Sequence, residues 1–451
     1  MSAPNPDSGT HPAIKGLAAA IGVAILVISG FSFFEASAVS ERVQDPAPGE
    51  KGQPRKGAFA KKGMGKEALK EPYKGVSTNG QIIRGLFPVR STGVTTEPVR
   101  VAAEAFLAAL TPDERAKTTF PVNDIEWRDW MNVHMYPRKG VSLRMMTAPQ
   151  REVAMALLKA SLSVRGLKTS VDIMKLNHTL GELLDNLHEM DEDLYFFTLM
   201  GTPSSTEPWG WQIDGHHLII NYFVLGDQVV MTPTFFGSEP TVATSGKYQG
   251  TEVLQVEQNK GLAFVNTLTA DQRKTAIVMG SKRGENLLAG AFRDNVVLDY
   301  AGIKASEFTP AQTEQFLDLI GEYVGKTDDG HAQVKMDDVK AHLADTSFAW
   351  IGAHDPASVF YYRIQSPVVL IEFDHQSPGP LGMGRGGLGG PPPGGPDGPG
   401  GPPPGGGGPG GPGGGRPATR QHIHAIVRTP NGNDYGKDLL RQHYEQHPHA
   451  N

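Results

Sequence analysis

The chain has 451 residues, a net charge of −6 and no cysteine. The missing cysteines exclude disulfides, thiolate metal sites and cysteine nucleophiles, so any metal must be held by nitrogen and oxygen. Length allows two or three average domains, and the acidic balance argues against nucleic acid as a partner.

Residues 16–34, GLAAAIGVAILVISGFSFF, form an uncharged, mostly apolar run long enough to cross a bilayer as a helix. Two readings stand. An uncleaved anchor fits the length, with Lys15 on the inner flank and Glu35, Glu41, Asp45 and Glu50 on the outer one. A cleaved signal peptide would use Ala36-Ser37-Ala38 as its small-residue box. Either way 1–38 places the body outside the cytoplasm, membrane-anchored or released. Residues 39–74 follow as a basic stalk; from 41 to 74 there are nine Lys/Arg against five Asp/Glu and few bulky apolar side chains. Such a stretch buries too little surface to offset its ordering entropy and is expected to be disordered.

From residue 75 to 451 the pattern is that of a single α+β module. LTPDER, LTADQR and FTPAQT each carry a threonine N-cap (Thr111, Thr269, Thr309) with Glu114, Gln272 or Gln312 three residues on. Two helices are read in 151–190, the first stopping at Gly166, and another ends at Gly325. Strand signals cluster in 194–237 and again in FAWIGA, FYYRIQ, VVLIEFDH and HIHAIVR. Their short connections predict antiparallel meanders, with the helices segregated from them. Between the last two strands lies 378–417, where 34 of 40 positions are Gly or Pro. It is expected to be a disordered excursion from one sheet, since loop closure grows costlier only logarithmically with length.

Histidines supply the chemistry. In HIHAIVR, alternation puts His422, His424, Ile426 and Arg428 on one strand face, and two imidazoles at i, i+2 can chelate one ion. If Glu372 of VVLIEFDH lies beside His424, a His/His/carboxylate set results, as in catalytic zinc or non-haem iron sites. A polar sheet face with His–carboxylate hydrogen bonds and no metal would read the same way. In GWQIDGHHLIINYF, treated as a strand, only one of His216 and His217 can face a pocket. His443 and His447, one helical turn apart, form another possible pair, whereas His447 and His449 read as tail.

Two functions follow. In the first, a divalent metal (zinc, iron or copper) held by His217, His422 and His424, with His443 a further ligand, activates water. Glu372 or Asp214 is then ligand or base, and Arg428 stabilises developing charge. In the second, a non-catalytic module holds a small ligand or peptide in an aromatic cleft of Trp127, Trp130, Trp209 and Trp211, with Asn221 beside them.

The text PWGWQIDGHHLIINYFVLGDQVVMTPTFFGSEP, with EWRDWMN, YYRIQSPVVLIEF and HIHAIVRTPNGNDYG, resembles the uncharacterised bacterial family catalogued as domain of unknown function 3500. The resemblance spans nearly all of 75–451 apart from the Gly/Pro insertion. It implies one module in an extracytoplasmic setting and brings no activity. The family's recurring blocks fall at Trp127, Arg128, Trp130 and Asn132, at Trp209 to Asn221, and at Glu372, His422, His424, Arg428, Asp434 and Tyr435.

Overall fold

Helix starts follow the threonine grammar. Thr111, Thr269 and Thr309 accept the backbone N–H three residues on, and each cap's own N–H donates back to Glu114, Gln272 or Gln312. The computed structural model describes residues 63–383 and 417–447, so the apolar run 16–34 and most of the Gly/Pro span lie outside the described residues. Among the described residues no helix is long and apolar enough to cross a membrane. The main helices are α1 (Glu97–Ala109), α2 (Ala148–Ser161), α3 (Val164–Leu184), α4 (Gln255–Thr267), α5 (Pro310–Val324), α6 (Asp329–Ala341) and α7 (Lys437–Gln446).

The expected stop at Gly166 is corrected: the break comes earlier, where Leu162 turns extended and Ser163 caps α3. Gly166 serves packing instead, because a Cβ there would sit 1.9 Å from the Lys326 carbonyl oxygen. Gly166→Ala should therefore lower stability by about 1–3 kcal/mol, although alanine is the better helix former. Urea melts of the two proteins check this, and an unchanged midpoint would refute it.

Eight strands carry the sheet: β1 (Tyr195–Met200), β2 (Trp209–Gly215), β3 (Leu218–Leu225), β4 (Thr234–Ser238), β5 (Ser347–Gly352), β6 (Phe360–Gln365), β7 (Leu370–His375) and β8 (Ile423–Arg428). Their order is β1-β2-β3-β4-β8-β7-β6-β5, every neighbour antiparallel. Short parallel strands extend the two ends, Thr119–Phe120 beside β1 and Ile277–Met279 beside β5. The architecture is thus mixed α and β around one large, mostly antiparallel sheet. The two expected meanders are its halves, joined where β4 pairs with β8 from Thr234↔Val427 to Ser238↔Ile423.

Alternation along the strands gives the sheet two unlike faces. Trp209, Trp211, Ile213, Ile220, Tyr222, Phe236, Ile371, Phe373 and Ala425 pack in the same core as Phe106, Leu157, Ile173, Phe264, Phe316 and Val339 from α1 to α6. On the other face Ile219, Phe223, Phe235 and Ile426 meet Trp127, Trp130, Phe292, Tyr435 and Leu439. That second face also carries the buried polar residues Gln212, Asp214, Asn221, Glu372, Asp374, His424 and Arg428.

Part of the expected stalk belongs to the body. Gly63–Lys70 form a 3₁₀ helix, and the carbonyls of Ala68 and Glu71 accept Arg128 Nη2 and Nη1 at 3.3 and 3.0 Å. Composition could not show this, because the order comes from partners sixty residues away.

Candidate metal centre

His216 and His217 form the two-residue turn between β2 and β3, rather than strand positions, so the alternation argument does not apply to them. His217 takes φ +63°, a conformation uncommon for side-chain-bearing residues. Its backbone is pinned on both sides: its N–H donates to Asn132 O at 3.1 Å, and Gly237 N–H donates to its carbonyl at 2.8 Å. The ring stacks on His216 at 4.0 Å, and His216 Nδ1 bonds Asn177 Oδ1 at 2.7 Å. Both histidines are buried, His216 against Asn177 and His217 against the pair on β8.

From this turn His217 Nε2 points at the histidine pair of β8. It lies 3.1 Å from His424 Nε2 and 3.3 Å from His422 Nε2, and those two are 3.0 Å apart. Three nitrogens bound at about 2.0–2.1 Å to one ion would stand about 2.9 Å apart at right angles and about 3.4 Å apart in a tetrahedron. The observed triangle falls between these limits. His217, His422 and His424 form a buried group able to hold a metal ion.

The hydrogen-bond logic points the same way. An N–H···N bond needs one donor and one acceptor, so among three mutually adjacent nitrogens at least two must be alike. His422 Nδ1 lies 2.7 Å from the Ser377 carbonyl, which can only accept, so the proton sits on Nδ1 and Nε2 presents its lone pair. Protonation does not relieve the clash. Burial holds all three rings below the ordinary histidine value, His422 at about 4, and neighbouring imidazoles lower His217 and His424 further. A cation at the centre would accept all three lone pairs.

One pH consequence is measurable without metal. Between about pH 6.5 and 4 the unfolded histidines bind protons that the folded ones refuse, so stability falls as pH falls through that window. His422 alone should contribute up to about 3 kcal/mol of the loss by pH 4. Chelated protein melted at pH 7, 6 and 5 should show the decline, and His422→Asn should flatten it. Equal slopes in the two proteins would contradict the assignment.

Glu239 was missed by sequence reasoning. It directly follows β4, where Gly237 is paired with His424, so alternation puts its side chain on the histidine face. It is buried, with Oε1 accepting the Gly379 N–H at 2.9 Å and Oε2 lacking a close hydrogen-bond partner among the described residues. A Cβ on Gly379 would lie 2.8 Å from Glu239 Oε2 and 3.2 Å from His422 Cε1, so carboxylate and imidazole share that glycine as a wall. Burial pushes the Glu239 carboxyl up, against the N–H groups of Gly379 and Leu381.

The expected carboxylates are engaged elsewhere. Glu372 pairs with Ile426, not with His424, and accepts Leu288 N–H, Ala289 N–H and the Tyr361 hydroxyl at 2.7–2.9 Å. Asp374 is the residue across from His424, but it is bound to Lys282 at 2.9 Å and to the N–H groups of Asn286 and Leu287. Asp214 is locked to Arg138 at 2.9 Å, and Arg138 also ties the carbonyls of Met131, Val133, His134 and Tyr136. Arg428 is fully buried between Asp294 (2.9 Å) and Asp434 (3.1 Å) and donates to the carbonyls of Ala289 and Gly290. None of these three expected catalytic groups is free to act at the histidines.

His443 is not in the group either; it pairs with Glu207 at 3.3 Å beside the rings of Tyr444 and His447. The aromatic cleft is corrected as well. The four tryptophans expected to line it are fully buried, Trp127 and Trp130 on one face of the sheet and Trp209 and Trp211 on the other. Asn221 is spent on Gln212 and the Pro233 carbonyl. A second constellation, His178 with Asp191 and Glu192, is half-buried, and its carboxylates already pair with Arg144 and Lys247.

Fold and site together define a class: a protein with a large, mostly antiparallel sheet that gathers three imidazoles from a hairpin turn and a distant strand. Residues 92–437 match the family described as "Protein of unknown function (DUF3500)", and the chain belongs to that family. No curated protein and no solved structure matches the chain.

Several residues of the motifs that carry the resemblance, Arg128, Trp130, Arg428, Asp434 and Tyr435, meet in space, but as an ion network. Arg128 pairs with Asp294 at 2.7 Å, Asp294 with Arg428, and Arg428 with Asp434. Tyr435 donates to Asp294 at 2.9 Å and accepts the Trp130 indole N–H at 3.0 Å.

Proposed function

We propose that the chain is a metal-binding protein in which His217, His422 and His424 hold one divalent transition metal, and that the centre is catalytic. The observation that carries this is the triangle of three Nε2 atoms that no proton arrangement satisfies. Three protein nitrogens leave room in the coordination sphere for water, the usual arrangement of catalytic rather than structural sites. Glu239, which shares the Gly379 wall with His422, is the carboxylate that would accept a proton from water there, in place of Glu372 and Asp214. The class of chemistry is metal-assisted hydrolysis. Zinc suits the tetrahedral limit, and iron suits the right-angled one with an oxygen donor added. The setting proposed for the body is outside the cytoplasm, tethered or released through 16–34.

Elemental analysis tests the first part, on protein purified without an affinity tag, as isolated and after chelation and reloading. About one metal per chain in the parent, and far less in His422→Ala/His424→Ala, is the expected result. No stoichiometric metal even after reloading overturns the reading. A hydrolase substrate screen then compares the parent with Glu239→Gln, which should keep its metal and lose turnover.

A further inference from the structure

A second site lies at the C-terminal end of β8, where Val427 and Thr429 line it and none of the three histidines does, and it does not rest on the metal centre. Val427 alternates with His424 along the strand and lines a cavity of about 100 Å³ together with Phe87, Val230, Met231 and Leu439. Lys335 of α6 is part of the same wall. Its Nζ donates to the Val368 carbonyl at 2.7 Å and approaches Thr429 Oγ1 at 3.5 Å, and among the described residues it forms no ion pair. The carboxylates that influence it are committed elsewhere, Asp338 beside Arg90 at 3.6 Å and Asp434 on Arg428. Lys335 is half-buried, and partial removal of its ammonium from water without a counter-ion lowers it to about 8.

The hydroxyls beside it are incomplete in a complementary way. Thr232 Oγ1 donates to Thr429 Oγ1 at 2.8 Å, and Lys335 approaches the same oxygen. The hydroxyl proton of Thr429 then finds no acceptor among the described residues. One ammonium and one spare hydroxyl donor thus meet in a cavity whose wall is apolar at Phe87, Val230, Met231, Val427 and Leu439 and polar elsewhere, Asp338 and His331 included. That combination calls for an acceptor carrying a single negative charge on an apolar body.

We propose that this cavity binds a small organic carboxylate with a short apolar chain, its oxygens on Lys335 Nζ and the Thr429 hydroxyl and its chain among Phe87, Val230, Met231 and Leu439. A phosphate dianion fits less well, because Lys335 offers one positive charge and Arg90 at the cavity wall is turned toward Asp338. The geometry ties recognition to one lysine, which makes the site testable.

The experiment is calorimetric titration of the full chain with butyrate, hexanoate and octanoate, with hexanol and inorganic phosphate as comparators. Methionine-methyl NMR follows Met231 in the same samples. At least one carboxylate should saturate and shift the Met231 methyl, with the matched alcohol at least tenfold weaker. Lys335→Met should weaken that carboxylate at least tenfold, and chelation of metal should change nothing. Thr429→Val, expected to weaken binding severalfold, serves as second variant if Lys335→Met does not fold. No saturation by any of the three carboxylates overturns the proposal, as does unaltered binding in the variants. Phosphate binding tighter than every carboxylate overturns the ligand class.

Discussion

Removing one imidazole from the centre should strip the metal while leaving the fold in place. His424→Ala is expected to weaken metal affinity by about 3 kcal/mol, roughly a hundredfold, taking each nitrogen as about a quarter to a third of a structural zinc site's binding energy. The same substitution should abolish the gain in melting temperature on metal addition, because an ion that binds only the folded chain stabilises it by mass action. His216→Ala is the informative control. Its ring stacks on His217 but contributes no nitrogen to the triangle, so metal content should stay near that of the parent. If His216→Ala and His424→Ala lose metal equally, the ligand assignment is wrong.

The largest stability loss is expected at Arg428. Arg428→Met leaves Asp434 facing Asp294 in a fully buried setting, with Arg128 and the Tyr435 hydroxyl compensating only the latter. Breaking one partner out of such a network costs about 3–5 kcal/mol. Burial already pushes the Asp434 carboxyl up in the parent, and loss of the guanidinium raises it further. A carboxyl raised in the folded state binds protons there that the unfolded chain has released, so the variant loses stability as pH rises above about 4. Its deficit relative to the parent should be greatest near pH 7 and shrink in acid. Adding Asp434→Asn should restore part of the loss. Full metal content in a destabilised Arg428→Met would confirm a structural arginine, whereas lost metal at unchanged stability would return it to the site.

What the sequence disclosed about these residues depended on whether the information was local. Capping boxes at Thr111, Thr269 and Thr309 are written within four residues, and the structure uses all three. The face shared by His422 and His424 is likewise local, because strand alternation needs no partner. His217 was named as a ligand, yet the reason it reaches the group is the turn at 216–217, and a strand reading of HHLIIN hides that turn. Glu372 and Asp374 differ by one register step, and only the observed β7–β8 pairing puts Asp374 rather than Glu372 across from His424. Glu239 was invisible because its face follows from pairing with a strand about 185 positions later. The tryptophans misled for a different reason: aromatic residues beside glycines describe a cleft wall and a packed core equally well. Arg428 and Glu372 looked catalytic because buried charge and reactive charge are spelled with the same letters.

The placement of β8 has a consequence for how the protein is made. Strands β4 and β7 wait for an inner neighbour that the ribosome supplies last, nearly two hundred residues after β4. Until it inserts, each half-sheet presents an unpaired edge at its centre, the kind of edge that templates aggregation. Two of the three imidazoles arrive on that same strand, so closure of the sheet and assembly of the proposed metal centre would be one event. Nascent chains halted before residue 423 should therefore be chaperone clients with no grip on the ion, however long they are given to mature.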